Sequence, residues 1–379
     1  MKLYGFSLTD LGLLIGINFA TQLIADITLT AIIDRFKYRS IVIFANILSM
    51  IGMLLYGVSP YISGGNIYVV IALATVLFSF ASGMLEVTLS PVVDTIPNEY
   101  KSKKTAMSLM HSFYAWGQVV CIIITSLILV FCGFKYWNFI VLGFASLSIV
   151  NAIMFSKTHI AQHRNEKSAH TTKKVVRSPI FIFCMFAIFF GAGAELVMNQ
   201  YISVFFELSI GMSKLTADMI GMALFACAMG TGRMIYGKFG EKLNIHYLLI
   251  FGSLFSIVAY LLAGITSNAW VAMIACVLSG FFVSLLWPGT LTVAGERFPT
   301  AGAWIFSLLA IFGDAGATLF PSIAGSFADI YGLKYMLFIM ALVPLGALVC
   351  HMFIHKLLKR GKLDEASDSE QQPTQDNRD

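Results

Sequence analysis

The sequence predicts an all-α membrane protein with eleven membrane-spanning helices. Of its 379 residues, 58% are hydrophobic and only 12% are charged, and its mean hydropathy is +0.81. A water-soluble domain of this length would carry about twice that share of charged residues to cover its surface. Apolar runs of about 20 residues, each long enough to cross the hydrocarbon layer of a bilayer, recur along the whole chain.

The predicted spans and the charges of their connections determine the expected topology. The spans cover 9–33, 40–58, 67–93, 104–131, 136–155, 179–206, 215–237, 245–265, 269–293, 301–326 and 332–355. The loops after every odd-numbered span up to the ninth, with their flanks and the C-terminal tail, hold 21 of the 25 Lys and Arg residues. The positive-inside rule places those loops and the C-terminus in the cytoplasm. We therefore expect a multi-pass protein of the plasma membrane.

The longest connection divides the chain into two helical bundles. Residues 1–155 form the predicted N-terminal bundle of five spans, and residues 179–358 form the C-terminal bundle of six. The linker between them, 156–178, is basic and contains three histidines, and we expect it to lie in the cytoplasm. The tail, 359–379, is acidic and polar after Lys362, a composition typical of disorder.

The two bundles carry matching features six spans apart. The segment DRFKYR follows the first span, and GKFGEK closes the seventh. Gly83 and Pro91 in the third span correspond to Gly280 and Pro288 in the ninth at one common offset. A six-helix repeat means that the N-terminal bundle is one helix short. Two interpretations stay open: the chain lacks a helix equivalent to 179–206 through truncation or a misassigned start, or it is a genuine eleven-span protein.

The basic turn after the first span resembles a motif of the major facilitator superfamily, G-x-x-x-D-R-x-G-R-R. Asp34, Arg35 and Arg39 fit that motif. Three positions depart from it: Thr30, Lys37 and Tyr38. The resemblance, which the paired bundles and basic linker support, implies a major facilitator fold of two pseudo-symmetric six-helix bundles with one N-terminal helix missing. It also implies that Asp34, Arg35 and Arg39 form a gate at the cytoplasmic face.

A second stretch, from Gly83 to Gly117, resembles the fucose–galactose–glucose:proton symporter family within that superfamily. It reads G-x-L-E-x-x-x-x-P, followed by S-L-x-H-S-F-x-x-x-G. The resemblance implies that Glu86 is the carboxylate linked to proton coupling and sugar binding. It places His111 where that family often has a sugar-binding glutamine. The family's other carboxylate lies on the first helix, for which this chain has no equivalent.

Glu86 and His111 are expected at similar depth on consecutive helices. Glu86 lies eight residues before Asp94 and His111 lies seven after Lys104, so both sit roughly 10 to 12 Å from the same membrane face at about 1.5 Å per residue. A carboxylate at that depth costs several kcal/mol unless it is protonated, paired or hydrated. We predict that both residues couple protons. The alternatives are a structural hydrogen bond for Glu86 and a packed histidine that donates to a backbone carbonyl.

Further polar side chains within the spans are predicted to line a central cavity, or alternatively to join helices by hydrogen bonds. Gln22 and Asp26 are spaced i, i+4 on one helix face, and Asn18 continues that stripe. The predicted proton-coupling residues beyond Glu86 and His111 are Asp26, Glu195 and Asp314. The predicted substrate-binding residues are Gln22, His111, Trp116, Gln118, Asn199, Gln200 and Trp287. Both tryptophans lie within spans, where an indole can stack on a sugar ring.

Arg233 lies near the cytoplasmic end of its span, and we expect it to snorkel or to pair with the basic turn.

The chain has no G-x-x-x-x-G-K-[ST], H-E-x-x-H or G-x-S-x-G motif and no metal-ligand spacing of cysteines, so we predict neither an enzyme nor a cofactor or metal site. The six cysteines are scattered singly.

We therefore predict a monomeric secondary transporter that moves a small neutral solute, most simply a monosaccharide, by proton symport. Its expected partners are the solute, protons and membrane lipid, and no nucleic acid. Two alternatives stay open. A multidrug:proton antiporter would use the same carboxylate in a more apolar cavity, and a truncated, non-transporting remnant or sensor would carry no flux.

Overall fold

The computed structural model describes residues 4–33, 36–62, 66–94, 103–160, 174–299, 301 and 304–370. Every regular element in these residues is a helix, which confirms the predicted all-α class. Within the described part of the chain, eleven helical segments are long and apolar enough to cross a membrane, as the sequence predicts.

The helices of the first half are α1 (Leu8–Ile32), α2 (Tyr38–Ile62), α3 (Ile67–Asp94), α4 (Lys103–Cys132) and α5 (Trp137–Lys157). The helices of the second half are α6 (Pro179–Leu208), α7 (Leu224–Phe239), α8 (Ile245–Ile265), α9 (Ala269–Val283), α10 (Pro288–Arg297), α11 (Trp304–Tyr331), α12 (Leu333–Met340) and α13 (Leu342–Glu370). A π-helical turn, Ala217–Ala223, leads into α7.

The predicted span 269–293 is broken into two helices. α9 ends at Val283 and α10 begins at Pro288, with Trp287 at the capping position. Proline has no backbone N–H and its ring clashes with the preceding turn, so it favours the first position of a new helix. The break lies within the candidate membrane span Ala269–Arg297, and interrupted helices of this kind are common in membrane carriers.

α6 forms the centre of the C-terminal half. It begins with Pro179 at its first turn and packs against α11 and α13. It is buried along most of its length, including Glu195 and Asn199 in its middle. The core of this half surrounds it, with Phe205, Phe206 and other large side chains fully buried. Polar groups on α6 are therefore held within a packed core.

Two helix pairs make most of the contacts between the halves among the described residues. α1 packs against α11, and α4 packs against α7 and the π-helical turn before it. The α1–α11 contact depends on glycine: a Cβ on Gly325 would lie 2.8 Å from the Leu8 carbonyl oxygen, and one on Gly12 would lie 3.4 Å from the Gly325 Cα. Small residues of this kind let membrane helices approach closely.

The last helix extends past the predicted end of the second bundle. α13 continues to Glu370, so the first part of the predicted tail 359–379 is helical and the remainder lies outside the described residues. Residues 359–370 include Lys, Leu, Glu and Ala, which are good helix formers.

Candidate functional site

Four side chains from three helices meet in the interior. α1 supplies Gln22 and Asp26, which lie one turn apart on one face, α3 supplies Glu86, and α11 supplies Asp314. Gln22 Nε2 donates a 2.6 Å hydrogen bond to Glu86 Oε2. The structure thus brings together one predicted substrate-binding residue and three predicted proton-coupling residues. We call these four residues the acid cluster.

Asp26 and Asp314 are the most deeply buried members of the acid cluster, with 0% and 1% of their surface exposed. Their carboxyl groups lie close enough for one of them, when protonated, to donate a hydrogen bond to the other, and the charge of Glu86 acts on both. Neither oxygen of Asp26, nor Oδ2 of Asp314, receives a hydrogen bond from a donor among the residues that the structure describes. Gly83 on α3 makes room for this arrangement, since a Cβ there would lie 3.0 Å from Asp26 Oδ1.

Glu195 forms a buried ion pair with Arg233. The Arg233 Nη2 lies 3.0 Å from Glu195 Oε1 and 2.9 Å from Oε2. Arg233 Nε donates to the Ser284 carbonyl at the α9–α10 break, and its Nη1 donates to the His111 carbonyl at 3.2 Å. The expectation that Arg233 snorkels or pairs with the basic turn was therefore wrong. Its guanidinium lies inward because a buried carboxylate and two carbonyl groups satisfy it.

Gln118 and Asn199 connect the halves beside this ion pair. Gln118 Nε2 on α4 donates a 2.7 Å hydrogen bond to Asn199 Oδ1 on α6. The remaining polar atoms of the pair, Gln118 Oε1 and Asn199 Nδ2, are buried and have no hydrogen-bond partner among the described residues. One acceptor and one donor are therefore available to a bound molecule. Gln200, the next residue, is half-buried.

His111 contributes another buried polar atom, its Nε2, which lacks a hydrogen-bond partner in the described part of the chain. The two predicted stacking residues contact glycines of neighbouring helices. Trp116 lies against Gly230 and donates its indole N–H to Met234 Sδ at 3.0 Å. Trp287 lies against Gly313, where a Cβ would come within 2.4 Å of the ring. Part of each indole is therefore used in helix packing.

Tyr114 is a site residue that the sequence did not single out. Its side chain is 54% exposed, yet it lies within electrostatic reach of Glu86, Glu195, Arg233 and Asp314. The accessible Tyr114 therefore lies near both the acid cluster and the ion pair. The available signal was its position three residues after His111, which puts both on one face of α4.

A second polar cluster, also not predicted, lies at the start of the seventh span. Asp218 in the π-helical turn pairs with Lys214 and accepts hydrogen bonds from Ser203 and, across the halves, from Ser126 at 3.0 Å. Lys214 Nζ also donates to Ser203 at 2.8 Å. π-turns often occur at functional positions, and this one joins α4 to the C-terminal half.

The predicted cytoplasmic gate is described only in part. Asp34 and Arg35 lie outside the described residues, and Arg39 is exposed in the first turn of α2. Among the residues that the structure describes, no group of three or more His, Cys, Asp or Glu side chains has an arrangement that could hold a metal ion. The chemistry that the acid cluster offers is proton binding by carboxyl groups and hydrogen bonding by amides.

Comparison with known proteins identifies the architecture. A family model described as Major Facilitator Superfamily matches residues 1–261 and 215–376. The chain is 24% identical over 273 residues to an uncharacterized MFS-type transporter from Yersinia pestis, an alignment covering 69% of this chain and 67% of that protein.

Solved structures share the fold. The crystal structure of FucP, a Major Facilitator Superfamily transporter, in its outward conformation has a TM-score of 0.69 at 16% identity, covering 93% of this chain and 92% of that chain. A structure of the E. coli fucose:proton symporter FucP has a TM-score of 0.67 at 16% identity, covering 92% and 97%. The human organic anion transporter MFSD10 has a TM-score of 0.67 at 13% identity, covering 90% and 83%. The eleven candidate spans among the described residues and a family model that matches nearly the whole sequence lead to one conclusion: this chain belongs to the Major Facilitator Superfamily.

Proposed function

We propose that this transporter moves a small neutral solute, with monosaccharides as the substrate class, together with protons by alternating access. The observation that carries the proposal is the hydrogen bond from Gln22 to Glu86 inside a cluster of three carboxyl groups. Carboxyl groups are rare within membrane spans, and those that occur there commonly belong to proton or substrate pathways.

Glu86 is the proposed proton carrier of the symport cycle. The Gln22 amide can serve it in both of its states, because the NH₂ group donates to a carboxylate and the amide oxygen accepts from a protonated carboxyl. A partner that satisfies both states lets the proton load and leave without abandoning a buried polar atom. This reversibility is what a coupling residue requires.

The proposed solute site lies between this carboxyl group and the C-terminal half. Gln118 Oε1, Asn199 Nδ2 and His111 Nε2 are buried polar atoms without partners in the described residues, and the Tyr114 side chain is accessible beside them. They are neutral or can be neutral, and together they offer both donors and acceptors. Such a set suits a neutral solute that carries several hydroxyl groups. Gln22, Trp116, Gln200 and Trp287 complete the proposed binding set.

Alternating access would use the main contacts between the halves, α1 with α11 and α4 with α7. The proposed solute site and the acid cluster take side chains from α1, α4 and α11, three of the helices that form these contacts. Rocking of the halves about these contacts would expose the site to each side of the membrane in turn. Asp34, Arg35 and Arg39 are the proposed cytoplasmic gate.

The sugar assignment rests on two supports. The stretch containing Glu86 and His111 resembles the sugar:proton symporter family, and a fucose:proton symporter shares the fold at 16% identity.

The proposed location is the plasma membrane with a cytoplasmic C-terminus, since 21 of 25 Lys and Arg residues fall on one side. We expect the carrier to act as a monomer.

A multidrug:proton antiporter is the second candidate. The acid cluster favours it because three carboxyl groups and one amide would also suit a cationic substrate. In that case, addition of a lipophilic cation to energised cells would lead to proton entry and cation efflux, and sugars would have no effect. A non-transporting remnant would show neither response.

The test measures external pH in a lightly buffered, de-energised suspension of cells that express the chain, while a panel of sugars is added. Alkalinisation with one sugar that is lost in Glu86→Gln supports proton symport. Glu207→Gln, the same change near the far end of α6, is the matched control and should retain the response. Silence across the panel with the protein present in the membrane would exclude sugar symport by this chain.

A further inference from the structure

The pair Asp26–Asp314 crosses the boundary between the two halves. Asp26 belongs to α1 and Asp314 to α11, and these helices pack closely along their length. Both carboxyl groups are more than nine-tenths buried and contact each other. Because three of their oxygen atoms lack a donor among the described residues, the pair is incomplete as a set of protein groups alone. We call it the acid pair.

Among the described residues, the groups around the acid pair supply no positive charge in contact with it. On α3, the ionisable neighbour is Glu86, whose hydrogen bond comes from Gln22. On α4, Tyr114 is within reach of Asp314. These neighbours are acids or neutral groups, so none of them can compensate a second carboxylate.

The described charged residues on the other helices that pack against α11 do not contact the acid pair. α6 presents Glu195, which is bound by Arg233. α12 carries Lys334, whose Nζ donates to the Thr266 carbonyl at 3.2 Å. The charged residues of α10, Glu296 and Arg297, lie in its last turn, eight and nine residues after its first residue, Pro288. The described surroundings therefore leave the acid pair without a cationic partner.

Two carboxylates at contact distance repel each other strongly when water and counter-charges are excluded, whereas one shared hydrogen turns the same contact into an attraction. We propose that Asp26 and Asp314 bind a proton between them, and that this proton joins α1 of the first half to α11 of the second. The acid pair is then a second proton site, distinct from Glu86. Only its link to transport rests on the proposed function; proton binding and the helix contact stand independently of it.

Loss of the proton would act on the whole α1–α11 contact. Beyond the acid pair the two helices approach through Gly12, Gly16, Ser322 and Gly325, with little side-chain volume between them. Packing through glycines is sensitive to small increases in the distance between the helices, because dispersion contacts weaken quickly with distance. Repulsion at the acid pair would therefore separate the helices and favour a state in which the halves are apart.

The test measures the distance between α1 and α11 as a function of pH. Spin labels are placed on Leu13→Cys and Ile330→Cys, which are 50% and 71% exposed, in a protein whose six native cysteines are replaced by alanine. Double electron–electron resonance in lipid nanodiscs then gives the distance distribution. The proposal predicts one short distance at acidic pH and a growing long-distance population as pH rises.

The variants Asp26→Asn and Asp314→Asn should abolish this pH response, because an amide donates to the remaining carboxylate and keeps the helices together at every pH. Asp10→Asn, the same change in the first turn of α1 and far along that helix from the acid pair, should leave the response intact. Glu86→Gln should also retain it while losing sugar-dependent proton uptake, so the two proposals fail in different experiments. A pH response that persists in both acid-pair variants, or no response in the parent protein, would overturn the proposal.

A measurement on the parent protein covers the case in which either acid-pair variant fails to fold. Infrared difference spectra with ¹³C-labelled aspartate should show the carbonyl band of a protonated aspartic acid that disappears over the same pH range as the short distance. The label separates this band from Glu86. A short distance restored at high pH by sodium ions, with no protonated aspartate band, would replace the proton with a metal cation and overturn the assignment.

Discussion

Gln22 on α1 donates a 2.6 Å hydrogen bond to Glu86 on α3, and one turn further along α1 Asp26 contacts Asp314 on α11. One face of α1 therefore binds Glu86 of its own half through the Gln22 amide. The same face meets Asp314 of the opposite half through the Asp26 carboxyl group. Changes of protonation at this face can affect both the interior of a half and the contact between the halves.

Replacement of Gln22 by leucine should uncouple the proposed symport. Glu86 would lose its hydrogen bond, worth about 1.5–3 kcal/mol when the acceptor is charged, and sugar-dependent proton uptake in proteoliposomes should fall at least about tenfold. The control is Asn138→Leu, which removes the 3.1 Å hydrogen bond that the Asn138 side-chain amide donates to the Tyr61 hydroxyl. It should lower thermal stability without affecting coupling. Full coupling in Gln22→Leu would remove Gln22 from the mechanism.

Gly83 should not tolerate a side chain. A Cβ there would lie 2.7 Å from the Gln22 carbonyl oxygen and 2.8 Å from the Ala25 Cβ, so α1 and α3 would have to separate. We expect Gly83→Ala to lower the free energy of unfolding by about 1–3 kcal/mol, as other overpacked sites do.

The matched control for this change is Gly143→Ala on α5, where nothing lies within 4 Å of an added Cβ. Alanine favours helix there, and stability should rise by up to about 1 kcal/mol. Thermal unfolding in detergent, followed by tryptophan fluorescence, compares the two. Equal effects of both substitutions would show that α1 and α3 are not held as closely as described.

The Glu195–Arg233 pair should be costly to break from one side. Arg233→Met leaves a buried carboxylate behind, and Glu195→Leu leaves a buried guanidinium; each should destabilise by about 3–5 kcal/mol. The double variant removes both charges and should recover much of that loss. A double variant as unstable as the sum of the two single variants would mean that the two side chains contribute independently.

Gln118 and Asn199 should contribute jointly to solute binding. Each single alanine variant breaks the 2.7 Å hydrogen bond between α4 and α6 and disturbs both free polar atoms. We expect each to raise the half-saturating solute concentration about tenfold, and the double variant to raise it by little more. Multiplicative effects in the double variant would assign the two amides to separate contacts.

The spans could be predicted from the sequence because they follow from local patterns. An apolar run of sufficient length predicts a span, and a charged residue within it stands out because burying its charge in the membrane costs free energy. The stripe of Gln22 and Asp26 likewise follows from the helical period, and both residues do face neighbouring helices.

The pairings between helices could not be predicted in this way. Glu195 and Arg233 are 38 residues apart, and the position of Arg233 near a span end favoured an outward side chain. Its inward direction depends on carbonyl groups of Ser284 and His111 that only tertiary packing brings to it. Tyr114 was overlooked for a related reason: aromatic residues are common in apolar runs, and its polar neighbours come from other helices.

The most direct test of the central claim is proton movement driven by a solute gradient in liposomes that contain the purified protein. A sugar gradient directed inward should acidify the lumen in the parent protein and in Glu207→Gln, and leave luminal pH unchanged in Glu86→Gln. Sugar-driven acidification that persists in Glu86→Gln would contradict the role of Glu86. Sugar entry without any proton movement in the parent protein would contradict symport itself.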